Sequence, residues 1–451
     1  MVSIIIFIAV LGIMILVHEF GHFMVAKLFK VKVLVFSLGM GPTIFARQKG
    51  ETKYRLAAFP LGGYVKMLGE TPGDTEDKID PDELHRSYWE QTPLKRMAIT
   101  AAGPFLNLVL AFLLAPISFM IGIEMPSYPM DPPVVLGIAP DSPADKAEFR
   151  YGDRLVEIDG KKFDTWQRAE EYFYINPDTE INIKFERDGK IMDASITPRA
   201  HEKYAVGISG FDVYETTVIG GFSKKSPAKE AGLVVGDRII SIAGKPIKAF
   251  SSMRDIIQKA APGPFKVGII KPDKPDKIVE VELTPVLMSD ARGESYKIGV
   301  GPYVPYTTVR YGPIKAFGAG SAFLWDKAIS NIEALGKLFT GRLGLKAMSG
   351  PVGIGFVIGS ARRAGFSHLV QITALISLLL GIINFFPIPA LDGGHILFAS
   401  MELISRRKLN RKVLDILNTA GFAMLMMLIL VVTIQDIYRF REEIFRFFGI
   451  G

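Results

Sequence analysis

The stretch from Val2 to Ala26 is apolar and long enough to span a bilayer, for which about 20 residues suffice. Yet it carries His18-Glu19-Phe20-Gly21-His22 in its second half. An ionisable side chain near the bilayer centre costs roughly 2.5–3.5 kcal/mol or more, so three on one lipid-buried helix need partners. On a helix, His18 and His22 stand at i and i+4 and share a face. Two such imidazoles can hold one zinc ion, and the intervening Glu19 can then reach a metal-bound water as general base. No basic segment precedes this run and no small-residue cleavage site follows it, which predicts a retained helix and not a signal peptide.

Three further runs read as spans: Met97 to Ile123, Leu369 to Pro389 and Val413 to Ile434. Four spans put both termini on one side. Lys27, Lys30 and Lys32, then Lys95 and Arg96, and finally Arg406, Arg407, Lys408, Arg411 and Lys412 flank the short loops. The positive-inside rule makes those loops cytoplasmic, so the termini and the long 124–368 segment are expected outside. With 49% hydrophobic and 22% charged residues, the chain is neither a purely soluble enzyme nor a bundle that is apolar throughout. A net charge of +7 without a basic stripe of interleaved aromatics gives no case for nucleic acid.

A catalytic zinc wants a third protein ligand. The chain has no Cys and only four other His, at 85, 201, 368 and 395, none at helical spacing to another. Asp392 is the better candidate, in Asn384-Phe-Phe-Pro-Ile-Pro-Ala-Leu-Asp392-Gly-Gly-His395. Pro387 and Pro389 break the end of the third span, and Gly393 and Gly394 allow a tight turn after the carboxylate. Irregular backbone at membrane depth is tolerated only where protein or a cavity surrounds it; an ordinary cytoplasmic loop is the competing reading. Depth offers a check. From Ser3 to His18 is about 22 Å at 1.5 Å per residue, which places the motif toward the cytoplasmic side, the level at which Asp392 also emerges.

At these residues the sequence resembles the site-2 protease family (M50 type) of intramembrane zinc metalloproteases. The resemblance rests on HEFGH in the first span and NFFPIPALDGG after the third. Gly103-Pro104-Phe105-Leu106-Asn107 is similar to the family's GPxxN element. The layout resembles its bacterial members with a long external insertion and covers essentially the whole chain. It implies zinc on His18, His22 and Asp392, Glu19 as catalytic base, and Asn384 holding substrate backbone. It also implies a bacterial inner-membrane endopeptidase that cuts the transmembrane segments of single-span proteins in regulated intramembrane proteolysis. The expected substrate is a trimmed anti-sigma factor, with leftover signal peptides as further candidates and the lipid bilayer as surroundings. Ser349-Gly350-Pro351 resembles a family element of no derivable role. A metal transporter or a membrane scaffold remain the alternative classes.

Between the first two spans, Phe36–Pro42 and Phe59–Lys66 are apolar, β-prone and rich in Gly, and flank a turn at Lys49-Gly50-Glu51. Such runs read as hairpins, and the family resemblance implies a β-structured loop dipping toward the active site. A strand edge near Gly62 and Gly63 would pair with unwound substrate.

The external region repeats. Ser142-Pro-Ala144, Gly152-Asp-Arg154 and Asp159-Gly-Lys161 recur 84 residues downstream as Ser226-Pro-Ala228, Gly236-Asp-Arg238 and Ala243-Gly-Lys245. This pattern resembles two PDZ domains, with Gly207–Gly210 and Gly299–Gly301 as peptide-binding loops; a spacer or size filter is the competing reading. Ala147-Glu148-Phe149 lacks the Gly of Ala231-Gly232-Leu233, which predicts a different loop in the first copy. Tyr311 to Leu345 has the spacing of an amphipathic helix on the outer membrane surface.

The expected fold is thus a multi-pass α-helical membrane protein with four transmembrane helices, a membrane-associated β-hairpin region and two extracytoplasmic PDZ-like α+β domains. Its segments are 1–27 (first span), 28–96 (cytoplasmic-side hairpins), 97–123, 124–215 and 216–306 (PDZ-like), 307–368 (amphipathic helix and connection), 369–390, 391–412 (cytoplasmic loop), 413–437 and 438–451 (tail).

Overall fold

The computed structural model describes all residues except 1, 71–78, 127–131, 140, 202–204, 213–216, 224, 248–249, 251, 291–292, 305, 442–443 and 446–451. The chain divides into two compact units. One comprises Met1–Ile123, Val309–Glu333 and Met348–Gly451, the other Glu124–Thr308 and Ala334–Ala347.

Among the described residues the first unit is mainly helical and carries one folded sheet. Helix α1 (Val2–Leu28) is followed by strands β1 (Val33–Lys49) and β2 (Thr52–Met67), then by α2 (Pro93–Ile121). After the second unit come α3 (Pro313–Phe339), α4 (Pro351–Ala364), α5 (Phe366–Phe385), α6 (Asp392–Ser405) and α7 (Arg411–Arg439). Four of them, α1, α2, α5 and α7, are long and apolar enough to cross a membrane. Small residues let them meet closely: Ala111, Ala115, Ala374 and Leu378 of α2 and α5 form one buried cluster with Leu324. Val10 and Met14 of α1 pack on Ile358 of α4 in another. Helix α3 buries Ala316, Gly320 and Leu324 and leaves Ile314, Phe317 and Trp325 exposed, an apolar stripe suited to a membrane interface.

Strands β1 and β2 fold over on themselves. Residues 35–38 pair with 63–66 on one side and with 53–56 on the other, and 45–49 pair with 52–56. The sheet therefore runs 63–67, 33–38, 52–56, 45–49, with Gly50 (φ 61°) at the tight turn. Its base is anchored by Val31, Val33, Val65 and Met67 against Ala26, Tyr88 and Ile99. Its far end exposes Met40, Ile44, Phe45 and Phe59.

The tight turn expected at Gly393 and Gly394 is absent: the 391–412 segment between the third and fourth spans holds the 14-residue helix α6, which begins at Asp392. Gly393 and Gly394 make no turn; they are the first helical turn. A Cβ on Gly393 would lie 2.1 Å from the Phe386 carbonyl oxygen, and one on Gly394 2.5 Å from that of Ile388. The glycines are there so that the helix can start against backbone.

The second unit contains two modules built alike. The sheet orders are Lys161–Lys162, Arg154–Ile158, Ile181–Arg187, Lys190–Ile196 and Lys245–Pro246, Arg238–Ile242, Phe265–Lys271, Lys274–Leu283. All four strands of each begin 84 residues apart, as the sequence repeat does. Each sheet packs on a helix, Trp166–Tyr174 or Met253–Ala260, around its own core. The loop expected to differ does not. Glu148 (φ 58°) and Gly232 (φ 88°) are both left-handed. Phe149 N–H donates to the Ala144 carbonyl as Leu233 N–H does to that of Ala228.

Candidate metal centre and active site

Helix α1 brings His18 and His22 onto one face, with their Nε2 atoms 3.2 Å apart. Two glycines set how close α1 comes to α2. A Cβ on Gly21 would overlap the Ala102 carbonyl oxygen at 2.3 Å, and one on Gly103 would stand 2.3 Å from His22 Nε2. Glycine inside a helix costs roughly 0.5–1 kcal/mol relative to Ala, and here it makes room for an imidazole. His22, only 9% exposed, donates from Nδ1 to the Ile99 carbonyl oxygen at 2.9 Å. With its proton on Nδ1, the ring turns an Nε2 lone pair inward.

Asp392 arrives from the far end of the chain. Beyond α5 the backbone runs through Pro387 and Pro389 to Ala390 (φ 75°) and re-enters helix at Asp392. The loop is clamped by Gly393, Gly394 and, on α7, Gly421, whose Cβ would lie 2.4 Å from the Pro389 carbonyl oxygen. This places Asp392 Oδ2 3.2 Å from His18 Nε2 and Oδ1 3.6 Å from His22 Nε2. The three ligand atoms lie within 4.8 Å of one another. Two imidazole nitrogens and one carboxylate oxygen are a donor set suited to a catalytic zinc with an open position. Gly103, by having no side chain, leaves the His22 nitrogen accessible. The residues fit the ion.

Glu19, half-buried on α1, meets the folded sheet. A Cβ on Gly63 would come within 2.9 Å of Glu19 Cγ and of the Ser37 carbonyl oxygen. Gly62 has φ 147°, and its Cβ would strike the Met40 side chain at 2.6 Å. The 62–67 strand is thus an outer strand of its sheet, beside the His-Glu helix. Asn384 sits in the last turn of α5, half-buried.

Of the other sequence candidates, Gly207 and Gly299 lie in the second unit and are not equivalent to one another. Ala144 N–H donates to the Ser209 carbonyl, and Ala228 N–H to that of Ile298. By this match Gly299 (φ 75°) corresponds to Gly210 (φ 88°), and each would drive a Cβ into the capping serine, Ser226 or Ser142. Gly207 is instead a packing glycine, with a Cβ position 2.1 Å from the Phe173 carbonyl oxygen.

Asn107 was visible in the sequence only as part of a motif. Its side chain is 1% exposed, its Nδ2 lies 3.3 Å from His18 Nδ1, and its carbonyl accepts from Ser377 Oγ at 2.8 Å. A polar amide in the middle of an apolar span was the signal, since such groups are costly unless they serve a site.

The sequence profile of peptidase family M50 matches residues 6–428. A protein of Neisseria meningitidis serogroup A bearing the name of a zinc metalloprotease is 31% identical over 96% of this chain and 98% of its own. Protease RseP of Yersinia pestis and the regulator of sigma-E protease RseP of Salmonella typhimurium are each 30% identical, over 96% of this chain and 98% of theirs. Among solved structures, the PDZ domain of an SdrC-like protein from Listeria innocua is 29% identical, covering 18% of this chain and 92% of that one, with a TM-score of 0.17. With apolar helices carrying the family's motifs, the chain belongs to peptidase family M50, the site-2 proteases, and is a membrane-embedded zinc metalloendopeptidase.

Proposed function

We propose that His18, His22 and Asp392 hold the zinc ion, that Glu19 is the catalytic base, and that the enzyme cuts single-span membrane proteins within their transmembrane segments. The observation that carries this is the convergence of Asp392 on His18 and His22 at 3.2 and 3.6 Å from opposite ends of the sequence. Zinc, when bound, supplies Lewis acidity to the scissile carbonyl and to the attacking water. Glu19 takes the proton of that water and passes it to the leaving amine. A transmembrane helix hides its own backbone, so it must unwind before cleavage. The outer strand at 62–67 offers an edge on which unwound substrate extends, and Asn384 offers its amide to the same backbone.

The basic loops support an orientation with the 28–96 and 391–412 segments cytoplasmic and the 124–308 modules periplasmic, in a bacterial inner membrane. The modules at 124–215 and 216–306 are read as PDZ-like, screening for ectodomains already trimmed by another protease. The Salmonella typhimurium relative named regulator of sigma-E protease favours a trimmed anti-sigma factor as substrate in regulated intramembrane proteolysis, with signal-peptide remnants next.

The reading is tested with full-length protein in detergent and a single-span test substrate. Zinc near one per chain is expected, with cleavage inside the span, and Asp392→Asn should lose metal and cleavage together. Cleavage that persists after complete removal of zinc would refute it.

A further inference from the structure

We infer that Asn107 is a positioning residue for His18: its side-chain oxygen accepts the Nδ1 proton of that imidazole and so fixes which ring nitrogen is free to bind metal. This rests on the zinc reading above and deepens it. A neutral imidazole carries one N–H and one lone pair, and the hydrogen bond made by one nitrogen decides the state of the other. Both histidines turn Nε2 toward Asp392. To act as ligands, both must carry their proton on Nδ1. His22 has its acceptor in the Ile99 carbonyl oxygen, 2.9 Å away. The corresponding neighbour of His18 Nδ1 is the Asn107 amide, at 3.3 Å.

The amide has two orientations, related by half a turn, and they select opposite tautomers. With Nδ2 toward the ring it donates to Nδ1, which leaves the proton on Nε2, and the Asn107 oxygen is then buried without a hydrogen-bond partner. With Oδ1 toward the ring, the oxygen accepts from Nδ1–H and Nε2 is left with a lone pair facing His22 and Asp392. Leaving a buried carbonyl oxygen without a hydrogen-bond partner is costly. Only the second orientation pairs that oxygen with the ring and frees Nε2. The amide is held at this spot by the Asn107 backbone, whose carbonyl accepts from Ser377 Oγ on α5, and that bond survives any side-chain change.

The test is zinc retention against a competing chelator, measured by elemental analysis on full-length protein in detergent, for wild type, Asn107→Leu, Asn107→Asp and His18→Ala. Asn107→Leu keeps the volume but offers no acceptor; a 10–100-fold loss of zinc affinity is expected, the range for an orienting partner of a metal-bound His. Asn107→Asp restores an acceptor and should hold zinc within about threefold of wild type, as the same hydrogen bond is kept. The zinc-stripped variants should unfold at the wild-type temperature, which a merely structural role would not allow. Wild-type zinc affinity in Asn107→Leu, or equal weakening in Leu and Asp variants, would overturn the proposal. If wild type and His18→Ala retain zinc equally, the zinc reading itself fails, and this with it.

Discussion

Gly63 lies directly against Glu19: a Cβ on the glycine would stand 2.9 Å from Glu19 Cγ. The Ser37 carbonyl oxygen is equally close, so a side chain there meets backbone on one side and the catalytic candidate on the other. Gly63→Val should therefore push the 62–67 strand away from α1. A shift on the order of 1 Å in a positioning element can cost about 100-fold in rate. The expected result is cleavage slowed by about 10–100-fold with zinc content unchanged, read from initial rates and metal analysis on the same samples. Cleavage at the wild-type rate would count against a substrate role for this strand.

The two external modules carry an internal control. In the first, Asp153 is fully buried and its carboxylate accepts from Arg187 Nε at 2.7 Å and Nη2 at 2.6 Å. In the second, Asp237 is equally buried but its Oδ1 has no hydrogen-bond partner, and Lys271 stands 84 residues after Arg187, at the matching position of the repeat. Lys271→Arg should stabilise the second module by about 1–2 kcal/mol, the value of a charge-assisted bond to a buried acceptor. Thermal unfolding followed by proteolysis of the 216–306 segment would show it; no change would mean that the arginine does not reach.

Glu148 holds a left-handed conformation (φ 58°) that Gly232 adopts freely in the other copy. Glu148→Gly should raise the stability of the first module by roughly 0.5–1 kcal/mol, and Gly232→Glu should lower that of the second by a similar amount. Opposite signs in the two modules are the diagnostic result.

Asp436, fully buried near the end of α7, accepts from the backbone N–H of Gly350 at 2.8 Å and of Gly353 at 2.7 Å. It thereby caps α4, and Arg439 adds a bond to the Met348 carbonyl. The Ser349-Gly350-Pro351 element thus gains a physical role: a Cβ on either glycine would approach this carboxylate to about 3 Å. Asp436→Ala should destabilise the protein by roughly 1–3 kcal/mol, the cost of lost cap bonds and stranded donors. Unfolding temperature in detergent is the measurement.

What was legible in the sequence followed from local rules. Apolar length marked the four spans, helical spacing paired His18 with His22, and an exact repeat offset marked the two modules. Asp392 was singled out as a carboxylate among prolines and glycines at the end of an apolar run, and the structure brings it beside both histidines. The sequence reading failed where glycine served packing and not turning. Gly393 and Gly394 begin a helix, Gly207 receives the end of another, and Glu148 accepts strain without a glycine. Composition cannot separate a glycine that bends the chain from one that admits a neighbour, because the neighbour is far away in sequence. For the same reason the Asn107–His18 contact, across 89 residues, had no local signature beyond a polar residue in an apolar span.

The central claim is that a metal held by His18, His22 and Asp392 works with Glu19 as base, and Glu19→Gln separates the two functions. The side chain keeps its size and makes none of the proposed metal bonds, so zinc should remain at the wild-type level. Cleavage of a single-span test substrate within its membrane segment should fall by at least about 100-fold, the usual contribution of a general base. A Glu19→Gln protein that holds zinc and cleaves at the full rate would contradict the mechanism.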